Sequence, residues 1–156
     1  MGAAARTTQV LANTDRKLVV QFVYSTDDGD ELDQSVIVDI SASAYNSSGS
    51  KAMTGVAVEK VMVTLNTAAD ATNVSIGWAA TALYPFAHFC GKYSPSNPVL
   101  DYGSEWGGLV KDDITIDVAG DNSAGQGTPT GDIAVSTSNI GSGEGFTILL
   151  VMRKIF

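Results

Sequence analysis

A single cysteine, Cys90, has no second cysteine in the chain to pair with, so the fold does not depend on an internal disulfide. A single histidine, His88, removes most of the chemistry that imidazole clusters support; a structural zinc site needs about four ligands of types that are scarce here. No run approaches the ~20 apolar residues of a membrane-spanning helix. The opening MGAAARTTQV lacks the basic-then-apolar pattern of a signal peptide. It also misses the myristoylation pattern, because Arg6 stands where Ser or Thr is wanted. The expectation is a soluble protein without its own secretion signal and without a membrane partner. Basic residues are few, 9 against 17 acidic ones, for a net charge of -8. Nucleic-acid affinity rests largely on Lys and Arg neutralising phosphates, so nucleic acid is not expected as a partner. Only the front end, with Arg6, Arg16 and Lys17 against Asp15, is mildly basic.

What the chain has is β-forming sequence. Charged residues make up 17% against a usual share of about 25%, so the surface leans on Ser, Thr, Asn and Gly. Runs rich in Val, Ile, Thr and aromatics alternate with Gly, Asn, Asp, Ser and Pro clusters, the pattern of strands and turns. KLVVQFVY (17–24) places Leu18, Val20, Phe22 and Tyr24 on one side. QSVIVDI (34–40) groups Val36, Val38 and Ile40. The acidic TDDGDELD between them fits a hairpin loop. From Val56 to Leu65, Val61, Val63 and Leu65 share one face, with Val56, Val58 and Met62 on the other. NVSIGWA (73–79) turns Val74, Ile76 and Trp78 inward. DITIDV (113–118) and DIAVS (132–136) continue the series, and DIAVS is read as a hairpin with the terminal run, turned at NIGSGEG. Between Leu83 and Val110 lies a less regular excursion that holds Pro85, Pro95 and Pro98. About eight strands, no repeat and no linker predict an all-β fold: one antiparallel β-sandwich, jelly-roll-like, over residues 17–156. Residues 1–16 show no strand periodicity and read as an N-terminal arm.

Four motifs suggest chemistry, and each has a structural explanation. His88 and Cys90 are two apart and share a strand face, but their roots lie about 7 Å apart, and Cys–His catalysis needs hydrogen-bond contact and a third, orienting group. TDDGDELD bunches carboxylates but departs from the EF-hand spacing, so it reads as a solvated acidic tip. Gly141, Gly143 and Gly145 match neither the dinucleotide nor the P-loop pattern; a turn explains them. Trp106, in YGSEWGG, has no place in an alternating core and is the aromatic most suited to a contact surface. No catalytic set, metal site or cofactor is expected, and the chain reads as a non-enzyme.

The terminal FTILLVMRKIF is apolar on both faces, with Phe146, Ile148, Leu150 and Met152 on one side and Leu149 and Val151 on the other. No amphipathic helix of useful length exists to cover the second side. The excursion can cover part of it, and a neighbouring subunit the rest. A homo-oligomer is therefore expected, a trimer by preference, with Leu149, Val151 and Trp106 at its interface.

The ending GDIAVSTSNIGSGEGFTILLVMRKI resembles the C-terminal hairpin of small virion proteins of tailed bacteriophages, through Gly131, Asp132, Ile133, Ser136, Thr137, Arg153 and Lys154. The resemblance covers about the last quarter of the chain. It implies a β-sandwich decoration or cement protein, multimeric and without catalysis, bound to the major capsid protein on the outer shell and assembled in the host cytoplasm. Under that reading the arm, with Arg6, Thr7, Thr8, Gln9 and Val10, contacts the capsid. The competing expectation is a carbohydrate-binding sandwich of a phage or bacterial surface, stacking sugars on Trp106, Tyr102 and Tyr93.

Overall fold

The computed structural model describes residues 4–66, 72–90, 99–102, 108–109 and 129–156. Among them are nine strands: β1 (Ala5–Asn13), β2 (Lys17–Thr26), β3 (Ser35–Val38), β4 (Gly55–Asn66), β5 (Asn73–Trp78), β6 (Tyr84–Cys90), β7 (Val99–Asp101), β8 (Ile133–Ser138) and β9 (Glu144–Ile155). A single 3-10 turn, Ser43–Tyr45, follows β3. The strands form two antiparallel sheets, β1-β2-β9-β4-β7 and β3-β8-β5-β6. Strands β2 to β9 thus take the order of an eight-stranded jelly roll, every step crossing between the sheets except β5 to β6, which are neighbours in one sheet, and β1 is added outside β2.

The core is where the alternating faces meet. Leu18, Val20 and Tyr24 of β2 and Ile148, Leu150 and Met152 of β9 are buried against Val74, Ile76 and Trp78 of β5 and Ile133 and Val135 of β8. Phe146 packs between Phe22 and Tyr24, with ring centroids 6.1 and 5.5 Å away. Covering such side chains contributes about 25 cal/mol per Å² of apolar surface removed from water.

The sequence reading is corrected in β3 and at four further points. In β3 the register with β8 shifts between Val36 and Val38, so Val36 does not share a face with Val38: it is 51% exposed, while Ile37 and Val38 are buried. First, alternation in β4 changes phase at Glu59, where the register with β9 shifts between Val58 and Lys60. An extra residue in one strand flips the side chains that follow. Val56 and Val58 therefore join Val61 and Val63 in the core, instead of facing the other way with Met62. Second, residues 27–34 do not close a hairpin. β2 is already paired on both sides, by β1 and β9, so the chain crosses to the other sheet and β3 pairs with β8. Third, β8 and β9 are not a hairpin for the same reason: both edges of β9 are taken, by β2 and β4. Of the three turn glycines, Gly143 alone adopts a left-handed φ, +77°, the conformation that glycine reaches without a Cβ penalty. Fourth, residues 5–13 are not a free arm but an edge strand in register with β2 from Ala5–Ser25 to Asn13–Leu18. Its side chains are almost all exposed, so no apolar alternation marks it; its conformation comes from hydrogen bonding to β2.

The excursion contains β6 and β7. Pro85 is tolerated because β6 is the outer strand of its sheet and the register shifts beside it, between Ile76 and Gly77, the positions where proline does least harm. The expected strand 113–118 lies outside the described residues.

Candidate functional site

The two sheets share a core and differ on their outer faces. On the five-stranded sheet one row of outward positions crosses every strand: Gln9, Gln21, Leu149, Met62 and Val99. The row on one side runs Thr7, Val23, Thr147 and Thr64, and the row on the other runs Ala12, Val19, Val151, Lys60 and Asp101. Leu149, Val151, Met62 and Val19 are half-buried, while Val23 and Val99 are 40% and 52% exposed. A shallow hollow of about 320 Å³ lies over Gln21, Met62, Thr64, Val99, Thr147 and Leu149. Ion pairs stand at the margin, Lys17 with Glu59 and Lys60 with Asp101, and Arg153 is exposed beside them in register with Lys17.

On the four-stranded sheet the outward side chains of β5, β6 and β8 include a polar cluster, while β3 at the edge turns out Val36, 51% exposed. Ser75 lies between Ser136 and His88 in register. Its Oγ is 2.7 Å from His88 Nδ1, and Asn73 Nδ2 donates to Ser138 Oγ at 3.2 Å. Ser75 was not singled out by the sequence, because its partner is thirteen residues away on the neighbouring strand. A hydroxyl on an imidazole is half of a nucleophile–base arrangement, which also needs an orienting group and oxyanion donors. Among the described residues no carboxylate meets the His88 ring, and the backbone N–H groups of the paired strands serve the sheet. The pair is thus suited to holding strands together. His88 thus bonds Ser75, and the backbone of Cys90 lies opposite Asn73.

The acidic stretch is ordered by neutral groups. Thr26 Oγ1 accepts N–H bonds from Asp28, Gly29 and Asp30, and the Tyr24 hydroxyl donates to the Asp30 carbonyl; burial raises the pKa of that phenol. Glu31 accepts from the Thr137 hydroxyl and from Ile140 N–H. Among the described residues no group of three His, Cys, Asp or Glu side chains converges as a metal site. The residues that carried the virion resemblance are largely staples. Asp132 accepts from Ile40 N–H at 2.9 Å, Ser136 Oγ from Gln34 N–H at 2.9 Å, and Thr137 Oγ1 from Leu32 N–H at 2.8 Å.

Lys154 is buried although it is charged. Its ammonium donates to Asn13 Oδ1 and to the Tyr45 carbonyl, and Asn13 Nδ2 donates to the Ala44 carbonyl at 2.8 Å. This cluster ties the end of β1 to β9 and to the 3-10 turn. Burial lowers the Lys154 pKa and nearby Asp15 partly offsets that. The Asp15 carboxylate, held by the side chain and N–H of Ser48, lies below its usual value.

The expected contact residues Arg6, Thr7, Thr8, Gln9 and Val10 are all exposed along β1, and Arg6 also donates to Ser35 Oγ at 3.0 Å. Leu149 and Val151 come together on the apolar outer face. Trp106 and Tyr93 lie outside the described residues. Tyr102 is committed internally, its hydroxyl donating to the Phe86 carbonyl at 2.7 Å and its ring meeting Phe86 edge-on. No protein-family model matches the chain, and no curated protein is significantly similar to it.

Proposed function

We propose that this chain is a structural virion protein that decorates and stabilises the outer shell of a tailed-phage capsid as a homo-oligomer, with the major capsid protein and its own copies as partners. The observation that carries the reading is the apolar outer face centred on Leu149. A soluble sandwich with a wet outer face needs no Val19, Val23, Met62, Leu149 and Val151 there, and contiguous exposed apolar surface of this kind marks association. The jelly roll agrees by analogy alone, since viral capsid proteins, lectins and cupins all use it. The resemblance of residues 131–155 to phage virion proteins supplies the capsid.

Arg6 to Val10 on β1 are the side offered to the shell, as a strand that among the described residues is paired on one edge only, by β2. Removing residues 2–14 would bare the edge of β2 and confuse the result, so the test is Thr8→Lys with Val10→Lys, charges of the kind that keep edge strands solitary. Co-sedimentation with purified capsids of the encoding phage is expected to show near-full occupancy by the parent protein and at least about tenfold weaker binding by the variant. A parent protein that stays in the supernatant overturns the reading.

A further inference from the structure

We propose that the outer face of the five-stranded sheet is a two-fold interface with a second copy of this chain, the two β9 strands crossing at Leu149. This rests on the reading of the chain as an assembly subunit, and it names what the apolar face receives.

Size argues for a protein partner. Five strands about 4.8 Å apart and seven residues of β2 at about 3.4 Å each make a face of roughly 24 by 24 Å, or about 600 Å². Two such faces bury about 1,200 Å², the lower end for specific protein interfaces. The hollow at Leu149 is shallow and open, and does not enclose a small molecule as ligand sites do.

Charge argues for a second copy. The chain as a whole is at -8, with Asp27, Asp28, Asp30, Glu31 and Asp33 gathered between β2 and β3. The sheet face instead carries three basic side chains, Lys17, Lys60 and Arg153, against two acidic ones, Glu59 and Asp101, with Lys17 paired to Glu59 and Lys60 to Asp101. Two acidic molecules repel over most approaches, whereas these faces, each at about +1 from the side chains just named, meet with little repulsion. A strongly basic partner would be drawn to the acidic stretch instead.

Layout argues for two-fold symmetry. β9 is the middle strand of five, and Leu149 stands in the row that crosses all of them. An isologous contact must set a patch against itself. An axis lying in the interface beside Leu149 sets Leu149 against Leu149, with Val19, Val23, Met62 and Val151 around it and the charged pairs at the rim, the usual arrangement of apolar centre and polar margin. Sheets stacked in this way lie about 10 Å apart, their strands inclined by about 30°. The contact closes at two copies, not the three expected from sequence, and leaves the β1 edges free for the shell.

Light scattering coupled to size-exclusion chromatography tests the proposal. The parent protein is expected to run as a dimer, and Leu149→Glu with Val151→Glu to weaken dimerisation on the order of 100-fold, because the charges enter the apolar centre in both copies. In a second arm, Leu149→Cys treated with a short bismaleimide should yield a cross-link joining position 149 to itself, read by peptide mapping. A monomer at every concentration, a trimer, a dimer indifferent to the glutamates, or a cross-link joining 149 to another position overturns the proposal. Capsid binding separates the two readings. A dimer that ignores capsids overturns the decoration role alone, and a monomer that coats them overturns the two-fold contact alone.

Discussion

On the four-stranded sheet the outward side chains of β5, β6 and β8 include Asn73, Ser75, His88, Ser136 and Ser138, whereas β2, β4 and β9 of the five-stranded sheet turn Val19, Val23, Met62, Leu149 and Val151 outward. Both sheets cover the same core, so the demands of folding cannot explain the difference. The polar side chains of β5, β6 and β8 bond to one another across the strands. Under the two-fold contact proposed above, the apolar face gains its further stabilising value when a second copy covers it.

The largest expected effect sharpens this within one strand. Leu150 is fully buried and Leu149 is not, although the two are neighbours on β9. Leu150→Ala should cost about 2–5 kcal/mol from lost burial and a residual cavity, lowering the thermal midpoint by on the order of 10 °C. Leu149→Ala, measured on dilute protein, should cost less than about 1 kcal/mol, as surface substitutions do. Equal losses would place Leu149 in the monomer's own core and abolish the contrast between the two outer faces.

A middle-sized effect concerns the edge that only the five-stranded sheet gains. Lys154→Met keeps the packing of the stem but removes the donor to Asn13 Oδ1 and the Tyr45 carbonyl. Loss of a buried donor costs about 1–3 kcal/mol, lessened here because a charge also leaves the interior. Hydrogen exchange should quicken in β1 and stay unchanged in β5 and β8. Uniform quickening in both sheets would show that the cluster holds the whole sandwich and not the added strand.

The same contrast shows what could be read from residue order. Alternation located β2, β5, β8 and the inward face of β9, because in each of these strands a buried face leaves a period-two record. The surplus on Leu149 and Val151 was equally visible. Pairing was not: 27–34 and 139–143 look like hairpin loops, and only the fact that β2 and β9 each have both edges occupied excludes it. β1 was illegible because ARTTQVLAN buries almost nothing, so no pattern of side chains records its hydrogen bonds. The bulge at Glu59 hid the inward turn of Val56 and Val58, since one extra residue inverts the count. The polar cluster of Ser75 and His88 needed the β5–β6 register, which no local spacing encodes.

The smallest expected effect is electrostatic and compares one carboxylate at the end of each sheet. Asp15, in the turn between β1 and β2, is held below its usual pKa by the side chain and then the N–H of Ser48; Asp39, just after β3, is held likewise by Ser41. A folded-state pKa lowered beneath 3.8 gives stability that is complete above that value and lost as the pH falls through the folded one. Lys154 works in the other direction. With its folded pKa lowered from 10.5 by burial, its charged form is disfavoured by folding, and stability rises as the pH climbs through the folded value towards 10.5. Thermal midpoints recorded from about pH 5 to about pH 2 should fall less steeply in Asp15→Asn and in Asp39→Asn than in the parent. Ser48→Ala should mimic the first and Ser41→Ala the second. Both carboxylates are exposed, so each change is small and shrinks in salt. If Asp15→Asn also loosened β1 to exchange while Asp39→Asn loosened nothing, the Asp15–Lys154 attraction would count among the forces holding the added strand. Parallel behaviour of the two variants would confine β1's anchorage to the Lys154 hydrogen bonds and its ladder with β2.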